Sequence, residues 1–195
     1  RAGEHIFMLK ENYANVCSVR TDLTETFEIF QTSMGDNQDT DLKDLTLANT
    51  RARIRMTSLY YIAGVNESLV VGTGNKVEDF GVGFYTKYGD GGVDVSPIAD
   101  LVKSEVFALG AYLGVPNSIQ VASPTDGLFG DSRTDEDQIG ASYDELEWAM
   151  NTIETGRNVS EFHGRQKEVY QTYLNLPKSN QHKMNPIPIF KYNKR

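Results

Sequence analysis

The chain has 195 residues, of which 39% are hydrophobic and 24% are charged, and its 27 acidic against 19 basic side chains give a formal net charge of −8. An aromatic content of 10% excludes an intrinsically disordered chain, and the length suffices for one domain with a hydrophobic core. The net charge excludes a nucleic-acid binder that relies on bulk positive charge.

Acidic residues are concentrated in one stretch of the chain. Residues 126–147 contain eight carboxylates and one base, Arg133. This stretch therefore carries nearly all of the net negative charge, and the rest of the chain is nearly neutral.

No run of about 18 apolar residues occurs, which predicts that no segment spans a membrane. The single cysteine, Cys17, cannot form an internal disulfide. We therefore expect a cytoplasmic protein that binds neither membrane nor nucleic acid.

The first predicted elements are two helices separated by a short strand. Apolar residues near the start indicate a helix that ends by residue 12, and residues 16–19 are predicted as a buried strand that carries Cys17. Apolar side chains then recur at helical spacing over residues 23–30. The polar residues 33–41 predict a loop.

A long helix is predicted over residues 42–63, because apolar side chains recur along it at helical spacing and Gly64 is placed to end it. The continuous apolar run at residues 68–72 suits a parallel strand covered on both faces. A glycine-rich loop is expected over residues 73–95. Residues 96–113 are then predicted as a helix, since a serine cap and a proline at the first helical position precede an apolar face.

The last predicted elements are one strand and two helices. Residues 118–122 are a strand candidate, and Ser142 opens a helix with a capping box that ends at Glu145. A further helix is predicted over residues 161–174, and a tail punctuated by prolines follows it.

This alternation of strands and helices predicts an α/β fold, a doubly wound parallel sheet with flanking helices, as a single domain over residues 1–195. Ligands of such sheets bind beyond the carboxyl ends of the strands. We therefore expect the functional site in the loops that follow residues 19, 71 and 121.

The loop after the central predicted strand offers groups for binding an anion and a cation. Gly72 and Gly74 let backbone N–H groups approach a ligand, Thr73 adds a hydroxyl, and Glu78 lies far enough along to reach a cation or a ribose. The phosphate loop G-x-x-x-x-G-K-[ST] is absent from the sequence. A plain turn followed by a solvated helix start would explain the same residues.

Two further loops carry candidate binding residues. Residues 84–94 interleave aromatic rings and glycines with Lys87, Asp90 and Asp94, a mixture that suits a flat, charged small molecule but also a hairpin with a Gly-Gly turn. In the third loop, Thr125 could bond a phosphate or could simply cap a helix.

Basic side chains outside these loops have alternative explanations as well. A solvated basic face explains Arg51 and Arg55, which lie one helical turn apart, whereas Arg53 points roughly the opposite way. His182 and Lys183 are possible phosphate donors or ordinary surface residues. The three histidines show no spacing that is typical of a metal site.

Taken together in this order, these segments resemble the NAD synthetase family, the enzymes that amidate deamido-NAD. The most specific of them is the string Thr-Lys-Tyr-Gly-Asp-Gly-Gly-x-Asp at residues 86–94. The other segments are residues 52–56, 71–78, 97–103, 123–125, 142–145 and 182–183.

The resemblance implies a fold of the adenine-nucleotide α-hydrolase type and a reaction in two steps. ATP adenylates the nicotinate carboxylate of deamido-NAD and releases pyrophosphate, and ammonia then displaces AMP to give NAD. ATP would be the cosubstrate and Mg²⁺ the cofactor. The family's homodimers carry the deamido-NAD site at the subunit interface, and the long helix with Arg53 is the candidate interface element.

The same resemblance implies roles for individual residues. Thr73, Lys103 and Thr125 match ATP-binding positions, Glu78 matches a magnesium ligand, and Lys103 and Glu78 are the candidate catalytic residues. The positions that match contacts to deamido-NAD are Arg53, Lys87, Asp94, His182 and Lys183.

One family feature is missing from the sequence. The Ser-Gly-Gly-x-Asp-Ser loop, which cradles the ATP phosphates in this family, does not occur, and residues 91–94 copy only its middle. We expect that loop, with the first strand–helix unit, upstream of Arg1, and expect these 195 residues alone to have little synthetase activity. Three alternatives stay open: the synthetase half of a glutamine-dependent NAD synthetase, another ATP pyrophosphatase, or a truncated, non-catalytic nucleotide-binding module.

Overall fold

A computed structural model of the chain describes residues 1–35, 40–129 and 131–192. Helices and turns make up most of this part. Its α-helices in chain order are α1 Ala2–Asn12, α2 Thr24–Met34, α3 Thr40–Val65, α4 Lys103–Tyr112, α5 Asn117–Gln120, α6 Asp135–Ile139, α7 Tyr143–Glu154 and α8 Gly164–Met184. A π-helix spans Lys76–Val82, and a short 3₁₀ helix spans Val159–Glu161.

The predicted parallel sheet is reduced to one pairing in the described ranges, an isolated parallel bridge between Val71 and Val95. Its hydrogen bonds run from the Gly72 N–H to the Val95 carbonyl (2.7 Å) and from the Val95 N–H to the Val70 carbonyl (3.3 Å). Val70 is buried while Val71 is exposed. One face of this segment is thus covered and the other is bare, although strands of parallel sheets are typically covered on both faces.

The other two predicted strands are wrong in this structure. Residues 16–19 form no strand, and Cys17 is exposed rather than buried. Residues 118–122 fall on α5 and the turn after it, which start just past Pro116. A short apolar run fits a helix as well as a strand, so periodicity alone could not separate the two.

The helix predicted over residues 96–113 begins later than expected. Residues 97–100 form a turn, and α4 starts at Lys103, where the Glu105 carboxylate accepts a hydrogen bond from the Val102 N–H at 2.9 Å. The proline at 97 therefore opens a turn and not the helix. This shift places Lys103 in the first turn of α4.

The remaining helices were predicted correctly in kind. The long helix is confirmed as α3, and Ser142 caps α7 as expected, with its hydroxyl accepting from the Glu145 N–H at 3.2 Å. The helix predicted over 161–174 is α8, which continues through Pro177 to Met184. The loop predicted over 33–41 falls in part on residues 36–39, which lie outside the described residues.

The main hydrophobic core lies between the π-helix, α7 and α8. Val77 and Val82 of the π-helix, Leu146 of α7 and Val169 of α8 are almost fully buried in it. Because the π-helix is anchored on both helices, the polar residues on its other side are held in place. Along the described residues, none of the helices combines the length and the apolar character that crossing a membrane requires.

Candidate functional site

A cleft of about 530 Å³ lies beside the π-helix. It brings together Thr73, Glu78, Lys103 and Thr125, which come from the loop after the bridge, the π-helix, the start of α4 and the loop before α6. These are the residues that the sequence assigned to ATP and magnesium. The structure thus places them in one cavity, although they are separated along the chain.

Glu78 is positioned by the buried side chain of Asn75. The Asn75 Oδ1 accepts hydrogen bonds from the Val77 N–H (2.9 Å) and the Glu78 N–H (3.0 Å), and so caps the π-helix. An asparagine cap is a recognisable start signal, but the glycine spacing predicts a loop over this segment, which the π-helix corrects. Asn75 is therefore a functional residue that the predicted loop did not include as a cap.

Glu78 and Lys103 form an ion pair inside the cleft. The Lys103 Nζ lies 2.7 Å from the Glu78 Oε1, and the two side chains are only 16% and 14% exposed. The Tyr143 hydroxyl donates a hydrogen bond to the same Oε1, and its ring centroid lies 4.4 Å from the Lys103 Nζ. Burial, followed by the nearby charge of Glu78, raises the pKa of Tyr143 far above its ordinary value, so the phenol keeps its proton.

Asp135 is a second carboxyl group in this cleft that the sequence did not single out. It is buried, its Oδ2 lies 3.2 Å from the Tyr143 hydroxyl, and its Oδ1 has no hydrogen-bond partner among the described residues. Burial raises its pKa, and the charge of Glu78 adds to that effect. Asp135 and Tyr143 each follow a helix cap, Thr134 and Ser142. A capping motif shows where a helix starts, but not that its first side chain enters a cleft.

Three more acidic side chains line the cleft, Asp79, Asp90 and Asp126. Burial raises the pKa of Asp79 to about 7, and repulsion from the charges of Asp90 and Glu78 contributes to the shift. Burial also raises the pKa of Asp90, although its Oδ1 accepts a hydrogen bond from the Thr86 N–H at 2.9 Å. The cleft therefore disfavours uncompensated negative charge and would gain from a bound cation.

The donor set of the cleft fits a magnesium ion that arrives with a nucleotide. The described residues contain no group of three or more His, Cys, Asp or Glu side chains placed to hold a metal ion. The contacts of Glu78 to Lys103 and Tyr143 both involve Oε1, so Oε2 takes part in neither of them. Mg²⁺ typically takes one or two carboxylates and completes its shell with phosphate oxygens and water. Glu78 can supply one such ligand, but the protein does not form a complete cage.

A second group of predicted site residues meets between α3, the 83–88 segment and the end of α8. The Arg53 Nε donates to the Lys87 carbonyl at 3.1 Å, and the Lys87 Nζ donates to the His182 carbonyl. The Lys183 Nζ donates to the carbonyls of Gly83 (3.0 Å) and Tyr85 (2.8 Å). Burial lowers the pKa of Lys183. The structure thus brings together Arg53, Lys87, His182 and Lys183.

Asp94 is engaged elsewhere. Its Oδ2 accepts from the Val70 N–H at 2.8 Å, and its Oδ1 accepts from the Tyr60 hydroxyl at 3.0 Å. These contacts tie the end of the glycine-rich loop to the bridge segment and to α3. Both carboxylate oxygens therefore already have partners within the chain.

The solvated basic face expected for Arg51 and Arg55 holds only for Arg55, which is exposed, whereas Arg51 is half-buried. The Arg51 guanidinium lies 4.3 Å from the Phe27 ring centroid and donates to the Leu128 carbonyl. The Arg55 Nη2 donates to the Gly127 carbonyl at 3.4 Å. Both arginines hold the 127–128 segment against α3, because these carbonyl groups lack partners from a regular sheet or helix.

Comparisons with known proteins agree on one family. Residues 4–187 match the family model described as NAD synthase. The NH(3)-dependent NAD(+) synthetase of Methanococcoides burtonii is 39% identical over 164 residues, which cover 83% of this chain and 61% of that protein. That of Archaeoglobus fulgidus is 44% identical over 142 residues, which cover 73% of this chain and 54% of that protein.

A solved structure extends the likeness to the fold. The NMN synthetase of Francisella tularensis superposes with a TM-score of 0.75 at 31% identity and covers 97% of this chain and 71% of that one. The chain therefore shares the fold of this synthetase over nearly its whole length. It spans less than two thirds of the length of each of the two curated relatives named above.

Proposed function

Because this chain belongs to the NAD synthase family, we propose that its gene product amidates deamido-NAD to NAD with ATP and ammonia. The observation that carries the proposal is the cleft in which Thr73, Glu78, Lys103 and Thr125 meet. Two hydroxyl groups and an ammonium face the same cavity as a carboxylate. This combination suits a nucleoside triphosphate that binds as its magnesium complex.

The chemistry needs activation of a carboxylate, not a nucleophilic side chain. A carboxylate oxygen of deamido-NAD attacks the α-phosphorus of ATP, the bond from that phosphorus to the bridging oxygen breaks, and pyrophosphate leaves. The ammonia lone pair then attacks the acyl carbon of the adenylate. The bond from that carbon to the phosphate oxygen breaks, AMP leaves, and the nitrogen loses a proton to become the amide.

Lys103 and Glu78 can exchange partners during this reaction. In the structure they neutralise each other at 2.7 Å. When ATP binds, the Lys103 ammonium can move to the phosphate oxygens and offset the charge that builds up as pyrophosphate leaves. Glu78 is then free to hold magnesium, which supplies Lewis-acid stabilisation of the phosphates when bound. Thr73 and Thr125 can donate hydroxyl hydrogen bonds to the nucleotide.

The cationic group around the end of α8 is the proposed site for deamido-NAD. Arg53, Lys87, His182 and Lys183 meet there, and an anionic dinucleotide suits that charge. For Asp94 the resemblance predicts a contact to the same substrate. Its bonds to Tyr60 and Val70 favour an anchoring role, in which Asp94 orders the end of the glycine-rich loop.

We also propose that the full protein forms the parallel sheet of the family and acts as a cytoplasmic homodimer. The support for the sheet is the parallel bridge between Val71 and Val95 and the bare apolar side chains beside it, Leu69 and Val71. The support for the dimer is α3, which exposes several large apolar side chains: Leu42, Leu45, Leu59, Tyr61 and Val65. Exposed apolar surface of this kind is typical of protein interfaces.

The second candidate is amidation of a mononucleotide to NMN. It is favoured by the likeness to the NMN synthetase of Francisella tularensis over 97% of this chain. Glutamine as the nitrogen donor and a non-catalytic nucleotide-binding role are further outcomes to test. The experiment supplies the full-length gene product with ATP, Mg²⁺ and either deamido-NAD or the deamidated mononucleotide. Ammonium or glutamine is added as the nitrogen donor. The amide product and AMP are then measured.

A further inference from the structure

We propose that Tyr143 is a positioning residue that fixes Glu78 through its hydroxyl and Lys103 through its ring face. The proposal rests on the proposed function only for the roles of Glu78 and Lys103. The contacts themselves are geometric and can be tested without an assay of synthesis.

The first step is that Tyr143 is itself immobile. It is the first residue of α7, its ring belongs to the main core, and its side chain is 5% exposed. Its backbone N–H donates to the Glu136 Oε1 at 2.9 Å, which fixes the start of the helix. A buried tyrosine has two side-chain torsions, so little freedom is left once its ring is packed.

The second step is that Tyr143 contacts both members of the ion pair by different groups. The hydroxyl donates to the Glu78 Oε1, while the ring centroid lies 4.4 Å from the Lys103 Nζ. The hydroxyl contact is a charge-assisted hydrogen bond, and the ring contact is a cation–π interaction. These are chemically distinct, and a substitution can remove one and leave the other.

The third step concerns what this arrangement does for the pair. Glu78 belongs to the π-helix and Lys103 to α4, so no shared element sets their distance. Tyr143 of α7 holds both, and both donors engage Oε1. When Lys103 leaves for a phosphate, the hydroxyl of Tyr143 still holds Glu78. The tyrosine thus keeps the Glu78 carboxylate in place while Lys103 moves from Glu78 to the phosphate.

Three variants separate these contacts. Tyr143→Phe removes only the hydroxyl, and Tyr143→Leu removes hydroxyl and ring face. Tyr173→Phe is the matched control, because Tyr173 is buried in the same core but makes no hydrogen bond to Glu78 or Lys103 among the contacts of the described residues. Urea denaturation checks that each variant folds.

The readouts that need no catalysis come from NMR of this chain. The ring current of Tyr143 shifts the Lys103 ε-methylene signal upfield, and a Lys103→Met variant assigns it. We expect Y143F and Y173F to keep that shift and Y143L to lose it. The carboxyl ¹³C signal of Glu78, assigned with Glu78→Gln, moves in both Tyr143 variants and stays in Y173F. A Glu78 signal that is unchanged in Y143F overturns the proposal, as does an unshifted Lys103 signal in the unsubstituted chain.

The kinetic readout uses the full-length gene product. Loss of a partner that orients a metal ligand typically costs 10- to 100-fold in metal affinity or activity, so we expect Y143F to raise the half-saturating Mg²⁺ concentration about tenfold. The KM for deamido-NAD stays within about twofold of its original value, because that site lies elsewhere. If Y143F and Y173F respond alike, Tyr143 has no positioning role. An inactive parent enzyme would refute the proposed function, while the NMR signals would still decide the role of Tyr143.

Discussion

The Asp79 carboxylate lies directly over Gly74, so a Cβ on residue 74 would come within 1.9 Å of the Asp79 Oδ2. No pair of non-bonded heavy atoms tolerates that distance. The position of Asp79, and not a positive φ angle, therefore favours glycine at residue 74. Both residues line the cleft.

Gly74→Ala should destabilise the protein because Asp79 must swing away from its buried position. Overpacking of this kind costs about 1–3 kcal/mol, and the flexible carboxylate favours the lower end. We expect Asp79→Ala to remove the cost in the double variant. Gly64→Ala is the control, since a Cβ there meets no atom within 4 Å. Urea denaturation measures the unsubstituted protein, the two single variants, the double variant and the control, and an equal loss for G74A in both backgrounds would contradict the contact.

Asp79→Asn should stabilise the protein at neutral pH. The folded-state pKa is about 7, above the ordinary 3.8, so the native state binds more protons than the unfolded state between these values. Ionisation therefore reduces stability as the pH rises through this window. The gain from the asparagine should be small near about pH 4, grow as the pH rises, and level off above about pH 7. Denaturation midpoints of both proteins, measured across this pH range, test the prediction. A stability gain of Asp79→Asn that shrinks as the pH rises would contradict it.

Arg165 should hold the pKa of Glu145 well below its usual value. Its Nε and Nη2 lie 2.7 Å and 2.6 Å from the two carboxylate oxygens, and the hydrogen bonds from Arg165 lower the pKa of Glu145 to about 2. In Arg165→Gln, the pKa should return toward the ordinary 4.5. An NMR titration of the Glu145 carboxyl signal measures the change. Arg157→Gln is the control, because Arg157 pairs with Glu161 instead. An unmoved pKa in R165Q would show that the pairing does not persist in solution.

The exposed apolar residues of α3 should lie in a dimer interface. Light scattering of the full-length product should give twice the mass of one chain, and Leu59→Asp should shift it toward the monomer because it places a charge in the contact. Tyr112→Asp, at the end of α4, is an exposed apolar control outside α3. A strict monomer at high concentration would remove α3 as an interface.

Local patterns predicted the helices well and the sheet poorly. The apolar spacing and caps that define α3 and α7 are contained in neighbouring residues, so the sequence displays them. Pairing of residues 68–72 depends on segments far along the chain, and only Val71 and Val95 pair in the described part. The shift of α4 has a similar cause, because a serine and a proline open turns as readily as helices.

The candidate site divides in the same way. Thr73, Glu78 and Thr125 stand in loops that local chemistry already marks as candidate binding segments, whereas the role assigned to Lys103 depended on the family resemblance. Asp135 and Tyr143 were missed, because their place beside Glu78 arises from the packing of α6 and α7 on the π-helix. A helix cap predicts the start of a helix but not which cavity its first residue lines.

The most direct test is the formation of NAD from deamido-NAD, ATP, Mg²⁺ and ammonium by the full-length gene product, followed by chromatography of NAD and AMP. We expect both products in equal amounts. Lys103→Ala should lower turnover by about 100-fold or more, because one buried cation is lost from the phosphates. Lys178→Ala, an exposed lysine on α8, should leave turnover unchanged. Absence of NAD and AMP, or a loss in K103A below about tenfold, would contradict the proposed catalytic cleft.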